Sequence, residues 1–260
     1  MTNAGGAVLA GRAVLVTGGS SGIGRAIALA AARAGADVAL TFQSNEEGAR
    51  GVEREIRTIG RRAVVLHLDL RDDRSAPAAG EAAIDALGRL DVWVNNAGAD
   101  ILTGPAASWS EVEKLDLLLA VDLRGTILAS WYAARLLGSR DEGGVIINIS
   151  WDHVLSGMAG SNPQLFAAVK GGVLAFSKSL ARSVAPRVRV NVVAPGWIRT
   201  SYAAGLEDSQ QTLHRRVLES TPLKRWGTPE DVAGAAVFLA SPAASFLTGQ
   251  TMLVGGGVVM

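Results

Sequence analysis

The chain contains no cysteine. This absence excludes disulfide bonds, thiol nucleophiles and metal sites with cysteine ligands, and it is compatible with any redox compartment. Side chains suited to proton transfer near neutral pH are also few, because the chain has 3 histidines, and tyrosine occurs only 2 times. We therefore expect no metal site and few candidates for acid or base catalysis.

Clustered positive charge is missing as well. The 25 lysines and arginines nearly balance the 24 aspartates and glutamates, which leaves a formal net charge of +1 at pH 7. The basic doublets Arg61–Arg62 and Arg215–Arg216 are typical of solvated helix or turn ends. Nucleic acids and anionic membranes are bound through dense basic runs, so we expect neither as a partner.

Long apolar runs are also lacking. No stretch of the sequence approaches the roughly 18 uninterrupted apolar residues that indicate a membrane-spanning helix. Residues 1–12 have no basic region of the kind that opens a signal peptide, and they lead directly into a predicted strand. We therefore expect a soluble, cytoplasmic protein.

Short apolar runs alternate with longer helical patterns along the whole chain. This alternation predicts a parallel sheet with crossover helices, and 260 residues are enough for one domain spanning 1–260. Strands are predicted near 13–17, 37–42, 63–68, 91–95, 144–149, 188–193 and 251–254. Helices are predicted near 23–34, 46–59, 75–88, 110–138, 163–184 and 229–240.

A glycine-rich loop follows the first predicted strand and opens an alanine-rich helix. Residues 17–24 read Thr-Gly-Gly-Ser-Ser-Gly-Ile-Gly. Glycines permit a tight turn and a close backbone approach, and the free N–H groups at a helix start suit a diphosphate. The loop predicts a dinucleotide-binding, Rossmann-type doubly wound α/β fold.

Further motifs follow this loop in a fixed order. They are Asp69, Asn95–Gly98, Pro195–Thr200, Arg225–Val232 and Leu247–Gln250. With the glycine loop, they resemble the short-chain dehydrogenase/reductase family over nearly the whole chain. One departure is residues 254–257, which read Val-Gly-Gly-Gly where the family usually has Val-Asp-Gly-Gly.

The resemblance implies a nicotinamide dinucleotide cofactor and a set of residues that bind it. These are Gly18, Ser20, Ser21, Gly22, Ile23, Gly24, Gln43, Ser44, Asn45, Asp69, Leu70, Asn96, Ala97, Gly98, Lys170, Pro195, Gly196, Ile198 and Thr200. In the family pattern, Asp69 touches adenine, while Ile198 and Thr200 hold the nicotinamide carboxamide.

Cofactor choice depends on the end of the second predicted strand, where an acid would bind the ribose 2′-hydroxyl of NAD. Residues 41–45 read Thr-Phe-Gln-Ser-Asn and contain no carboxylate. NADP(H) is therefore favoured over NAD(H). Residues 41–45 offer no cation for the 2′-phosphate of NADP. Arg25 and Arg50 either bind this phosphate or are exposed charges on their helices.

The catalytic half of the family pattern is altered. The resemblance implies a proton-relay tetrad of Asn, Ser, Tyr and Lys, of which only Lys170 is kept. Phe166 stands at the tyrosine position, Trp151 at the serine position and Asp122 at the asparagine position. Ser150 would replace Trp151 only after a shift of one residue, which turns its side chain to the other side of the chain. A phenyl ring has no proton to donate, so another group must do so.

Few groups can replace the phenol. Asp152 and His153 follow the fifth predicted strand, and they either supply the proton or serve to cap a turn and pack against the lid. Asp122 either relays protons through water near Lys170 or holds that lysine in an ion pair. Asn162 and Pro163 predict the start of the helix that carries Phe166 and Lys170, which are four residues apart and so share a face.

The polar segment 196–226 is broken by Gly and Pro and predicts a mobile lid over a ligand. Tyr202 in this lid is a further candidate donor, whereas His214 in the lid and His67 in the third strand are weaker ones. Trp151 and Trp197 either stack on a flat substrate or fill space.

Two functions remain open at this point. The first is an NADP(H)-dependent oxidoreductase that reduces an activated carbonyl, an imine or a conjugated C=C bond of a small molecule with a modified proton donor. The second is a non-catalytic NADP(H)-binding sensor or inactive subunit. Apolar residues on more than one face of the helices at 110–138 and 163–184 predict a homotetramer or homodimer.

Overall fold

Seven parallel strands form one central sheet in a computed structural model that describes residues 7–200 and 210–260. The strands are β1 (Ala13–Val16), β2 (Asp37–Phe42), β3 (Ala63–His67), β4 (Val92–Asn95), β5 (Gly144–Ile149), β6 (Val188–Pro195) and β7 (Thr251–Val254). Their order across the sheet is β3-β2-β1-β4-β5-β6-β7. Val14 of β1 lies beside Val38 on one side and Val92 on the other. The predicted strands are confirmed to within one or two residues at each end.

Helices cover both faces of the sheet. They are α1 (Gly22–Arg33), α2 (Glu46–Thr58), α3 (Ser75–Leu87), α4 (Glu111–Leu118), α5 (Thr126–Gly138), α6 (Ser161–Val184), α7 (Gln210–Ser220) and α8 (Pro229–Ala240). A π-helical segment, Leu119–Gly125, joins α4 to α5. Short 3₁₀ turns lie at Pro105–Ser108, Asp152–Val154 and Pro242–Ala244.

The hydrophobic core has two layers, one on each face of the sheet. Residues of α1, α2 and α8 pack on one face, and residues of α3, α5 and α6 pack on the other. Because both faces are covered, the strands are apolar throughout rather than alternating. Each fully buried side chain such as Ile27, Trp93 or Leu137 contributes roughly 1.5–3 kcal/mol through apolar burial. This arrangement confirms the predicted single α/β domain with a doubly wound sheet.

The start of α6 differs from the prediction. The helix begins at Ser161 with Gly160 as its N-cap, so Asn162 is not the cap. Gly160 has a φ of 123°, a left-handed conformation that glycine adopts without strain and that turns the chain into the helix. Pro163 still fits the first turn, because N–H groups there have no partner within the helix.

A capping box opens α8 in the Arg225–Val232 motif. Thr228 accepts from the backbone of Asp231, whose side chain accepts from the Thr228 N–H in return. Hydrogen bonds from Arg225 are the main cause that lowers the pKa of Asp231 to about 2. The carboxylate therefore stays ionised and holds the helix start at any ordinary pH.

The run from Glu111 to Gly138 is long and apolar enough to cross a membrane by length and composition, and it is the single such helix in the described ranges. Its small residues Ala129 and Ala133 are fully buried in the core layer that contains Trp93. On the outer side of the same run, Trp131 is 47% exposed. Packing on the sheet accounts for one apolar face, and the other remains open at the surface.

The order in which strands are added to the sheet reverses between β1 and β4, although all strands remain parallel. After β1 the chain builds β2 and β3 on one side, and β4 then returns to the other side of β1. Ligands of doubly wound sheets bind outside the carboxyl ends of the strands at such a switch point. The glycine loop after β1 and the Asn95–Gly98 motif after β4 both lie at this place.

Candidate active site

The glycine loop between β1 and α1 is closely packed against the chain that follows β4. A Cβ atom on Gly24 would lie 2.5 Å from Asn96 Nδ2 and would collide with the Gly18 carbonyl. Among the described residues, the Ser21 side chain makes no capping hydrogen bond at the start of α1. The first N–H groups of α1 therefore remain available to an anion in the crevice.

Hydrogen bonds from both neighbouring strands hold the loop in place. The Asn96 N–H donates to Thr17 Oγ1 at 2.9 Å, and Asn96 Nδ2 donates to the carbonyls of Thr17 and Gly18 at 3.0 and 3.2 Å. From the β2 side, the Gly18 N–H donates to Thr41 Oγ1 at 3.2 Å. The sequence predicted Asn96 in the site but missed Thr41.

A cavity of about 570 Å³ lies beside this loop at the ends of β1 to β4. It brings together most of the predicted cofactor residues, namely Gly18, Ser20, Ser21, Ile23, Gly24, Gln43, Ser44, Asn45, Asp69, Leu70, Asn96, Ala97 and Gly98. Lys170 and the Pro195–Thr200 segment lie outside this cavity, and Thr200 approaches the loop beside Gly22. The cavity thus lies where the sequence predicts the adenosine and diphosphate of a dinucleotide.

Neutral side chains line the end of β2. Gln43, Ser44 and Asn45 are exposed, and Asn45 Oδ1 accepts from the Gly48 N–H at 3.0 Å as the cap of α2. Arg25 pairs with a glutamate of α2 at 2.8 Å, and Arg50 pairs with two glutamates of α2 at 3.3 Å. Both arginines are therefore exposed helix charges that pair with glutamates, which is one of the two roles expected from the sequence.

Lys170 and Asp122 form a buried ion pair. Lys170 Nζ lies 2.8 Å from Asp122 Oδ2, and the Ala99 N–H donates to Asp122 Oδ1 at 2.7 Å. Asp122 is 1% exposed and belongs to the π-helical segment, a distortion that is frequent at functional sites. The wider π turn places the carboxylate between Lys170 and Gly98, where a Cβ would be only 2.7 Å from Oδ2.

The residues after β5 point in alternate directions. Ser150 Oγ donates to the backbone carbonyl of Lys170 at 2.8 Å, so its hydroxyl is occupied by α6. The Trp151 ring lies on the other side, with its centroid 6.4 Å from that of Phe166 in an edge-to-face arrangement. Trp151 and Phe166 therefore bring two rings without a hydroxyl to the same place.

Asp152 and His153 form a buried dyad in the 3₁₀ turn after β5. His153 Nδ1 lies 2.6 Å from Asp152 Oδ1, and the two residues are 8% and 0% exposed, respectively. The imidazole stacks on Trp151 with a centroid distance of 4.9 Å and meets Trp197 edge-on at 5.9 Å. The carboxylate and the two indoles together set the orientation of His153.

Comparison with known proteins identifies the family. A model of the family described as enoyl-(acyl carrier protein) reductase matches residues 18–259. A short-chain dehydrogenase from Burkholderia cenocepacia, solved in complex with NADP, is similar to this chain with a TM-score of 0.85 and 33% identity, over 96% of this chain and 99% of that one. The chain belongs to the short-chain dehydrogenase/reductase family.

Two relatives of this short-chain dehydrogenase/reductase are oxidoreductases by name. An uncharacterized oxidoreductase of Methylorubrum extorquens is 38% identical over 253 residues, which cover 96% of this chain and 98% of the relative. The L-rhamnose 1-dehydrogenase (NAD(P)(+)) of a Sphingomonas species is 35% identical over 254 residues, 96% of this chain and 97% of the relative. The protein is therefore an oxidoreductase of this family.

Arg71 is a site residue of this short-chain dehydrogenase/reductase that the sequence interpretation missed. It lines the cavity, and its Nη2 and Nε atoms lie 2.5 and 3.0 Å from Asp69 Oδ2 and Oδ1. These hydrogen bonds lower the pKa of the Asp69 carboxyl and raise the pKa of the Arg71 guanidinium. The signal was the Asp-Leu-Arg turn at 69–71, where an arginine two residues after the acid folds back onto it.

Aromatic rings continue from His153 towards the segment 196–226. The ring centroid of Trp226 lies 5.7 Å from that of Trp197, in an edge-to-face arrangement. The Trp226 ring also stacks on the imidazole of His214, with a centroid distance of 6.1 Å. Ile198 pairs with Gly227 as an isolated parallel bridge, which ties the two ends of the segment together. Tyr202 lies outside the described residues, as does the 201–209 part of the predicted lid.

The two weaker histidine candidates, His67 and His214, both lie at the surface. His67 is exposed on the edge strand β3 and packs edge-on against Phe42 at 5.5 Å. His214 is exposed on α7. In the described part of the chain, no group of three or more His, Asp or Glu side chains is arranged to hold a metal ion.

Proposed function

We propose that this short-chain dehydrogenase/reductase is an NADP(H)-dependent enzyme that reduces an activated carbonyl, an imine or a conjugated C=C bond of a small molecule. The observation that carries the proposal is the contrast between the two halves of the site. The cofactor half has its glycine loop, cavity and Lys170, whereas Phe166 has no proton to donate and lies beside Trp151, on which His153 of the Asp152–His153 dyad stacks.

The residues of the described site fit a nicotinamide dinucleotide. The space at Gly24 would be filled by any Cβ atom, and the start of α1 presents free N–H groups to a diphosphate. Lys170 would hold the nicotinamide ribose, and Ile198 and Thr200 would hold the carboxamide. When bound, the reduced nicotinamide supplies the hydride, and this chain must supply the proton.

His153 is the proposed proton donor. Its Nδ1 atom is bonded to Asp152, which fixes the ring orientation and leaves Nε2 as the nitrogen that exchanges a proton with the substrate. A second route is water that passes a proton along Asp122 and Lys170, whose charged groups are 2.8 Å apart. In both routes Phe166 and Trp151 serve to keep the site apolar.

The altered tetrad also favours particular substrates. An imine or a conjugated C=C bond can take a hydride without a phenol beside the accepting atom, and an activated carbonyl needs less help from an acid than a simple ketone. The indoles of Trp151 and Trp197 flank His153 and favour a flat, apolar group beside it. The segment 196–226 is proposed to close over such a substrate as a lid.

The function is tested by a screen of ketones, imines and enones for NADPH oxidation. The wild type is expected to reduce at least one class, and Phe166→Tyr alone is not expected to produce a general ketone reductase, because Trp151 occupies the place of the serine. If the wild type is inactive on all classes while Phe166→Tyr with Trp151→Ser is active, the altered-donor proposal fails and the protein acts as a cofactor sensor or inactive subunit.

NADPH is expected to bind more tightly than NADH. Gln43, Ser44 and Asn45 carry no charge to repel a 2′-phosphate, and the guanidinium of Arg71 in the same cavity wall offsets the charge of its partner Asp69. Titration of both cofactors by fluorescence measures the ratio of dissociation constants. Gln43→Asp should shift this ratio towards NADH by about 1 kcal/mol or more, with Gln250→Asp, at the far side of the sheet, as a control. Tighter binding of NADH by the wild type would contradict the prediction.

A homotetramer or homodimer is expected in solution. Trp131 of α5 is 47% exposed and meets Phe176 of α6 edge-on at 6.1 Å, which makes an apolar surface across the two helices. Trp131→Glu should shift the protein towards smaller species in sedimentation velocity at micromolar concentration. Val8→Glu, at an exposed apolar residue outside this surface, is the control. A wild type that sediments as a monomer would refute the prediction.

A further inference from the structure

One oxygen of the Asp152 carboxylate has no hydrogen-bond partner. Oδ1 bonds to His153, but Oδ2 is buried and unpaired within the part of the chain that the structure describes. A buried carboxylate oxygen without a partner is unfavourable. The surrounding packing must therefore hold Asp152 in this position.

Two glycines from different strand ends provide the space for that oxygen. Gly196 follows β6, and a Cβ there would lie 2.5 Å from Asp152 Oδ2. Gly255 follows β7, and a Cβ there would collide with Oδ2 and lie 3.2 Å from Cγ. The φ angle of Gly255 is not in the left-handed region, so the backbone conformation does not require glycine here. Only the absence of a side chain is required.

We propose that Gly255 is a positioning residue for the proton donor. Because Gly255 has no side chain, Asp152 has the space to lie where its carboxylate orients His153. The role of that orientation in turnover rests on the proposed function. Gly255 stands where the family usually has an aspartate. A carboxylate at 255 and another at 152 would occupy the same space and repel each other, so the observed position of Asp152 requires the glycine at 255 and is incompatible with the family's usual aspartate there.

Histidine NMR tests this contact without reference to activity. The chain has 3 histidines, so protein with ¹⁵N-labelled imidazoles gives three assignable sets of signals, and His153→Gln identifies those of His153. Gly255→Ala should shift the His153 Nδ1 signal and its pH titration while the signals of His67 and His214 stay unchanged. Unchanged His153 signals in a folded Gly255→Ala protein would overturn the proposal.

A double-mutant cycle tests the steric argument. Gly255→Ala should lower the unfolding temperature by on the order of 5 °C, and most of this loss should disappear when Asp152→Ala is also present. Gly234→Ala in α8 is the control, because a Cβ there meets open space. If Gly255→Ala alone does not fold, a folded double variant supports the proposal. An equal loss in both backgrounds, or failure of both variants to fold, would overturn it.

Kinetics then connect the contact with the reaction. Gly255→Ala should lower kcat about 10- to 100-fold, as expected when a reacting group is misplaced, and should change its pH profile, with the NADPH dissociation constant unchanged. Unchanged kcat and pH profile in an active enzyme would overturn the role in turnover. An inactive wild type would defeat the proposed function but would leave the NMR and stability results to decide whether Gly255 positions Asp152.

Discussion

Replacement of Lys170 by methionine should abolish NADPH-dependent turnover and lower the free energy of unfolding by about 3–5 kcal/mol. The lysine ammonium lies 2.8 Å from Asp122 Oδ2, and the Asp122 side chain is only 2% exposed. Removal of the ammonium leaves this carboxylate buried without its cation, and within residues 7–200 and 210–260 the Ala99 N–H is the one remaining hydrogen-bond donor to it. NADPH affinity should fall together with kcat, because Lys170 is proposed to hold the nicotinamide ribose.

A second substitution separates stability from activity. In Lys170→Met with Asp122→Asn, the amide oxygen can still accept from the Ala99 N–H, and no unpaired charge remains in the core. Urea unfolding should then show recovery of most of the lost stability, whereas NADPH binding and turnover should not recover. A Lys170→Met enzyme with wild-type turnover would exclude Lys170 from the reaction, and unchanged stability would show that the pair is not effectively buried.

Replacement of His153 by glutamine should lower kcat by about 10²–10⁴, while the NADPH dissociation constant changes by less than about twofold. The imidazole is held by Asp152 and lies between Trp151 and Trp197, outside the cavity that the adenosine half would occupy. Its loss therefore removes the proposed proton donor without reaching the residues that line that cavity. Stopped-flow measurement of NADPH oxidation with the best substrate from the screen gives kcat directly.

His214→Gln is the matched control for this substitution. His214 is exposed on α7 and stacks on Trp226, so its replacement changes the number of histidines without reaching the dyad. Asp152→Asn is informative in addition, because it preserves the shape of the side chain but removes the charge that orients the imidazole. A His153→Gln enzyme that turns over at the wild-type rate would leave water relayed past Asp122 and Lys170 as the proton route.

We propose that the three departures from the tetrad implied by the family resemblance have a common physical consequence. Asp122 supplies a negative charge to Lys170 where the family has a neutral amide, while Phe166 and Trp151 remove two hydroxyl groups from the same wall. Lys170 is therefore paired with a carboxylate and has no phenol to activate. In the proposed reaction another group must donate the proton, and His153 is the titratable group that stacks on Trp151.

The sequence by itself determined the sheet, the position of the cofactor crevice and the absence of an acid at the end of β2. These features are local: a buried parallel strand is a short apolar run, and a diphosphate loop needs glycines at a strand-to-helix junction. The sequence also showed that Phe166 cannot act as a proton donor, since that conclusion depends only on the chemistry of its side chain. Even the start of α6 was misplaced by only two residues, because Gly160 supplies the turn into the helix in place of the expected cap, Asn162.

Only the tertiary structure decided which of these groups meet. Asp122 reaches Lys170 through a π-helical turn that no residue pattern announces, and it does so across two helices. Asp152 lies against Gly255 because β5 and β7 flank β6 and all three strands end at the same edge of the sheet. Such contacts depend on the packing of segments that are distant in the sequence. At position 255, the one methyl group by which alanine differs from glycine determines whether the Asp152 carboxylate fits. Sequence patterns indicate the local conformation of a segment, and they carry no information about the distance between side chains of segments far apart in the chain.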